Sequence, residues 1–135
     1  MIDKKRELRV LILDENETYL SAIRACATMN PPEFGLTFQF AASEDSARRI
    51  INEWDPSCVL LDAHIPEFDA CGALERYMAE VVPVIITSDS ASRDIEASAL
   101  SRGAVKYITK SENPDEIESL LCSIGEVSIE FDSKH

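Results

Sequence analysis

A chain of 135 residues holds one compact domain and has no room for two. Its formal net charge of −12 argues against direct binding to nucleic acid or to an anionic membrane, both of which need Lys/Arg clusters. No apolar run approaches the roughly 20 residues that span a bilayer, and 45 % apolar with 28 % charged residues is a globular rather than a disordered mixture.

Leu8–Leu13 is a short apolar strand. Glu17–Met29 follows as a helix with Leu20, Ile23 and Ala27 on one face, stopped by Asn30-Pro31-Pro32. Leu36, Phe38 and Phe40 alternate, so Leu36–Phe40 is the second strand. Ser43 caps a second helix in which Ala47, Ile50 or Ile51, and Trp54 face inward, and Asp55-Pro56 ends it. Cys58–Leu61 is the third strand, and Ala70–Ala79 a third helix with Asp69 as its cap. Val81–Ile86 is the fourth strand, Ser92–Arg102 the fourth helix, closed by Gly103, and Ala104–Ile108 the fifth strand. Pro114 opens the last helix, striped by Ile117, Leu120 or Leu121, and Ile124. Glu126–His135 has no strong pattern and reads as a tail or the start of a linker after a domain of residues 7–125.

Five βα units in succession predict a doubly wound α/β fold with a parallel sheet, since helical crossovers make neighbouring strands parallel. The strands are near-continuous apolar runs, as strands covered on both faces are. MIDKKRELRV carries charge with no signal region behind it. Cys26, Cys58, Cys71 and Cys122 form no C-x-x-C pair, so they read as buried reduced thiols of a cytoplasmic protein and not as a zinc site.

In such a fold the site lies beyond the carboxyl ends of the strands. The first strand ends in Asp14-Glu15, the third in Asp62, the fourth in Thr87-Ser88, and the fifth, with Tyr107 in it, leads to Lys110. Three carboxylates at one edge repel one another unless a cation joins them, and a hard cation such as Mg²⁺ takes oxygen ligands and keeps several waters. One carboxylate can then attack phosphorus, a lysine can pair with a phosphoryl oxygen, and a threonine hydroxyl can donate to another.

These segments resemble the receiver domains of two-component response regulators, over roughly residues 7–125. LILDENE looks like the family's first strand and acidic pair, and VLLDAHIP like its phospho-acceptor segment, with Pro66 four residues after Asp62. VPVIITS looks like the fourth strand with its switch hydroxyl, and GAVKYITK like the fifth, with a switch aromatic and the phosphoryl-pairing lysine. The resemblance implies a flavodoxin-like sheet ordered 2-1-3-4-5. It implies Asp62 as phospho-acceptor and Mg²⁺ or Mn²⁺ held by Asp14, Glu15, Asp62 and the backbone carbonyl of His64. Thr87, Ser88, Tyr107 and Lys110 become the phosphoryl-contacting and switch residues. The donor would be a sensor histidine kinase or phosphotransfer protein. The surface of the fourth helix, fifth strand and last helix would then change its affinity for a downstream protein, and a homodimer stays open.

Three positions depart from the family pattern. Ser111 follows Lys110 where proline with a cis bond is usual; a non-proline cis bond costs about 2.5–4 kcal/mol, so a trans bond and a rearranged turn are expected. Ala70 stands where glycine is common, and Glu15 where aspartate is. These departures motivate one alternative, an unphosphorylated receiver-like binding module. An enzyme of the same architecture fits less well: DENET offers anions where a flavodoxin needs a phosphate loop, and Asp62-Ala63-His64 lacks the D-x-D of a haloacid-dehalogenase-type phosphatase.

Overall fold

The computed structural model describes residues 7–41, 43–64 and 78–134. Its elements are β1 (Glu7–Leu13), α1 (Glu17–Met29), β2 (Gly35–Phe40), α2 (Glu44–Trp54), β3 (Cys58–Asp62), β4 (Val84–Ser88), α3 (Arg93–Ser101), β5 (Lys106–Thr109) and α4 (Pro114–Lys134). A helical end at 78–81 precedes β4. The expected helix at Ala70–Ala79 lies, apart from these last residues, outside the described residues, as do Pro66, Asp69 and Cys71.

The five strands form one parallel sheet in the order β2-β1-β3-β4-β5, the expected doubly wound topology. Its central strands are apolar throughout because both faces are covered. On one face Leu8, Val10, Ile12, Leu60 and Ile85 pack with Leu20, Ile23, Leu121 and Ile124 of α1 and α4. On the other, Leu11, Leu13, Val59, Leu61 and Ile86 pack with Ala47, Ile51, Met78 and Ala99. Alternate residues of one strand thus feed two cores, as the period of two requires.

The helix boundaries follow their caps. Asn16 accepts from the Tyr19 amide, Ser43 from that of Ser46, and Ser92 from that of Ile95. Asp55, at φ +52°, turns the chain out of α2. Gly103 does the same after α3 at φ +106°, and a Cβ there would come within 2.7 Å of that of Ala79.

Three boundaries differ from the sequence expectation. Val81 and Val82 are not strand: the Val82 amide donates to the Met78 carbonyl, and the strand starts only after Pro83, which cannot continue a helix. The fifth strand starts at Lys106, because Gly103 and Ala104 still donate to the last carbonyls of α3. Residues 126–134 are helix, not a patternless tail. Val127 and Ser128 are buried in continuation of the α4 stripe, and Ser128 Oγ donates to the Ile124 carbonyl and faces that of Ser57 at 3.2 Å. The three described cysteines also divide: Cys26 and Cys58 are buried thiols as expected, but Cys122 is exposed on α4.

Candidate functional site

Register carries the two aspartates to one place. Leu13 of β1 pairs with Leu61 of β3, so Asp14 and Asp62 are the next residues on adjacent parallel strands. Asp62 in turn pairs with Thr87 of β4, and Ser88 with Thr109 of β5. Lys110 extends that ladder by one bond, its amide donating to the Ser88 carbonyl at 2.7 Å. Strands lie about 4.8 Å apart, so Lys110 must fold over the end of β4 to meet β3, and four methylenes give it the length.

It does so. Lys110 Nζ lies 2.8 Å from Asp14 Oδ2 and 3.1 Å from Asp62 Oδ2. Their other oxygens, Oδ1, each accept the amide two residues on: Asn16 for Asp14 at 2.8 Å, and His64 for Asp62 at 3.1 Å. Both carboxylates are therefore pinned by a backbone turn on one side and share one ammonium on the other. The pinning is local chemistry, the short Asp side chain bonding its own backbone.

Exposure ranks the three groups. The side chains of Asp14, Lys110 and Asp62 are 2 %, 6 % and 12 % exposed, so the acceptor expected from sequence is the one most open to an incoming group. Burial pulls the Lys110 pKa down, but the Asp14 and Asp62 carboxylates outweigh it and hold the ammonium above the ordinary lysine value. Among the described residues, Asp14 Oδ2, although 2.8 Å from Nζ, has no N–H or O–H well aligned on it; it is a buried oxygen with a charge opposite.

Glu15 does not complete the expected trio. It is exposed, and among the described residues no three Asp, Glu, His or Cys side chains converge as a cluster that could hold a metal. Successive residues leaving a strand point opposite ways, so turning Asp14 inward sends its neighbour to solvent.

The switch residues expected from sequence lie around this pair. Thr87 and Ser88 are buried at the end of β4. Ser88 Oγ accepts from the Ser90 amide and lies 3.1 Å from His64 Nε2, so the imidazole is tied to the rim of the site. Tyr107 is half-buried against the core beside α3, and its hydroxyl donates to the Ser90 carbonyl. The Lys110–Ser111 bond is trans, as expected, since no described peptide bond is cis. The lysine reaches its partners nonetheless.

One residue of the site escaped the sequence reading. Tyr19, in the first turn of α1, is 3 % exposed and its ring lies under Lys110, with Nζ 5.4 Å from the centroid. Burial, then the charges of Asp14 and Asp62, push its hydroxyl pKa far above the usual tyrosine value, so the phenol stays protonated. The only signal was its place five residues after Asp14, on the helix face that also carries Ile23 and Cys26.

Comparison with known proteins identifies the family. The family model for the response regulator receiver domain matches residues 10–121. The chain is 35 % identical over 128 residues to an NtrX-like response regulator of Rickettsia typhi, covering 90 % of this chain and 26 % of that protein. It is 31 % identical over 108 residues to a protein-glutamate methylesterase/protein-glutamine glutaminase of Oceanobacillus iheyensis, covering 78 % and 30 %. The chain thus spans roughly a quarter to a third of these curated relatives. Among solved structures, NtrX from Brucella abortus superposes with a TM-score of 0.76 at 21 % identity, over 94 % of this chain and 29 % of that one. The response regulator domain of Thermotoga maritima CheB superposes with 0.71 at 21 %, over 91 % and 97 %. The paired aspartates, the lysine between them and the family match over most of the chain lead to one conclusion: the chain belongs to the response regulator receiver domains of two-component signalling.

Proposed function

We propose that Asp62 accepts a phosphoryl group from a phosphohistidine of a sensor histidine kinase or phosphotransfer protein. The observation that carries this reading is the position of Lys110 Nζ, within ion-pair distance of both Asp14 and Asp62. An Asp62 carboxylate oxygen would form the O–P bond as the P–N bond to the donor imidazole breaks, the electron pair returning to that nitrogen. Lys110 faces the Asp62 carboxylate across an ion pair and afterwards pairs with a phosphoryl oxygen as a point charge. Thr87, paired with Asp62 in the ladder, would donate its hydroxyl to a second oxygen, with Ser88 flanking it.

The donor set fits Mg²⁺ or Mn²⁺. Asp14 Oδ2 is a buried oxygen without an aligned donor among the described residues, Asp62 supplies a second carboxylate, and hard divalent cations take oxygen ligands. Asp14, Asp62 and the His64 carbonyl would hold the ion, with Glu15 reaching it through water from the solvent side. When bound, such an ion neutralises charge on the transferring group.

Signalling would follow by population shift. Movement of Thr87 towards the phosphoryl group would draw on the loop that holds the Tyr107 hydroxyl at Ser90, freeing the ring to turn inward. The groove of about 550 Å³ between α3, β5 and α4, which Tyr107 lines, would then change its affinity for a downstream protein. The test is incubation with a small phosphodonor and Mg²⁺: one added phosphoryl group, labile in base and absent in Asp62→Asn, is expected. Modification that survives in Asp62→Asn would sink the assignment.

A further inference from the structure

We propose that Tyr19 is a positioning residue for Lys110, holding its ammonium over the aromatic face so that it spans Asp14 and Asp62 without a proline at position 111. The inference rests on the reading of Asp62 as phospho-acceptor and adds a residue to its machinery.

Four observations converge. Nζ stands 5.4 Å from the Tyr19 ring centroid, inside the range in which a cation is drawn to the negative face of an aromatic ring. Tyr19 is 3 % exposed and packed among Ile23, Leu120 and the rest of the α1–α4 core, so the ring is a fixed platform and not a surface group that happens to lie near. Its own backbone is held: the Tyr19 amide donates to Asn16 Oδ1, and the Asn16 amide donates to Asp14 Oδ1. Ring, cap and carboxylate are therefore one rigid chain of contacts running from Lys110 back to Asp14. Finally, the turn after Lys110 lacks the fixed φ of a proline: Ser111 is followed by Glu112 and Asn113, and Ser111 Oγ accepts from the Asn113 amide.

A lysine tail is flexible, and two carboxylates alone leave it free to sway between them. The aromatic face supplies the missing third side. The same ring lines the small cavity of about 170 Å³ beside Lys110, Ser111 and Asp89, and also the larger groove beside β5 and α4. When the ammonium moves to a phosphoryl oxygen, the ring it leaves is a wall of that groove. Lysine capture is thus felt on the α3–β5–α4 surface through Tyr19 as well as through Tyr107.

The test compares Tyr19→Phe, which keeps the aromatic face, with Tyr19→Leu, which keeps bulk without it. Phosphorylation by a small donor with Mg²⁺ should be near wild type in Tyr19→Phe and slowed about three- to tenfold in Tyr19→Leu, the size expected for a partly desolvated cation–π contact. In a Lys110→Met background, Tyr19→Leu should add no further slowing. Lys110 ε-methylene protons should be shifted upfield by the ring in wild type and Tyr19→Phe, and return to ordinary values in Tyr19→Leu. Equal rates in Tyr19→Leu and wild type overturn the proposal, as does equal slowing with and without Lys110, which would mark Tyr19 as packing only. If the wild-type chain takes no phosphoryl group at all, the functional reading falls. The ring-current shift then decides for Tyr19: its presence upholds the contact, and its absence overturns it.

Discussion

Lys110 sits nearer to Asp14 than to Asp62, with Nζ 2.8 Å from one Oδ2 and 3.1 Å from the other. The lysine is thus anchored on the more buried acid and leans towards the more open one. Before phosphorylation it offsets the repulsion between two carboxylates on adjacent strands. On the proposed reading, the nearest new anion after transfer would be a phosphoryl group on Asp62, the acid towards which the ammonium leans.

Removing that ammonium should matter more than restoring the family's proline. Lys110→Ala leaves two nearly buried carboxylates facing each other with no cation between them. Phosphorylation by a small donor should fall about fivefold to several hundredfold, in keeping with about 1–4 kcal/mol for one close charge pair. Ser111→Pro should change the rate by less than about threefold, because four methylenes absorb a shifted turn. A silent Lys110→Ala would give the lead to the unphosphorylated binding module.

Mg²⁺ should bind in the millimolar to sub-millimolar range, since most of its ligands remain water. Amide shifts on titration should centre on Asp14, Asp62 and His64. Asp14→Asn should weaken binding on the order of tenfold or more, by loss of one charge pair. Spectra unchanged at high magnesium would contradict the proposed cation site.

Alkaline stability should carry the signature of Lys110. Its pKa is raised in the folded chain above the ordinary 10.5, so the ion pairs contribute fully below that value. The contribution is lost as pH rises through the higher folded value. Urea unfolding followed across this range should show wild type losing more stability than Lys110→Met. Parallel curves for the two proteins would mean that the ammonium is not held by its neighbours.

Thiol reactivity should separate the cysteines. Burial pushes the Cys58 pKa up to about 12, so it stays a shielded thiol, while Cys122 is exposed. In a Cys71→Ser background at pH 8, an aromatic disulfide reagent should modify Cys122 at once and Cys58 only on unfolding. Prompt reaction of Cys58 would show that β3 is not sealed between its two faces.

The last turns of α4 should be structural. Val127→Ala removes buried methyl groups and should cost about 2 kcal/mol in denaturant unfolding. Ser133→Ala, on the exposed side, should stay within about 0.5 kcal/mol. Equal midpoints would mean that residues 126–134 fray in solution.

Much of this site was legible because it is written at strand ends. Apolar runs locate strands, the residue after each run lies at the carboxyl edge, and that edge is where such folds bind. Asp14, Asp62, Thr87 and Lys110 are found by that logic alone. Apolar content without register misleads where VVPVII continues a helix end into a strand, because periodicity cannot separate two buried states over so few residues. The continuity of α4 was hidden because Glu126–His135 carries no strong apolar pattern, and only packing shows that Val127 and Ser128 are buried on the same helix.

Sequence by itself determined the order of elements, the strand-end carboxylates and the lysine, because those depend on local periodicity and on one topological rule. Tertiary structure decided which of the acids meet. Asp14 and Asp62 close on one ammonium because β1 and β3 are neighbours in register, while Glu15, one residue on, is turned to water. It also decided what supports Lys110. Tyr19 lies 91 positions away in the chain, and no spacing rule links a helix's first turn to the end of the last strand. Only the packing of α1 against α4 sets that ring beneath the lysine, since contacts between elements follow from shape and burial and not from distance along the sequence.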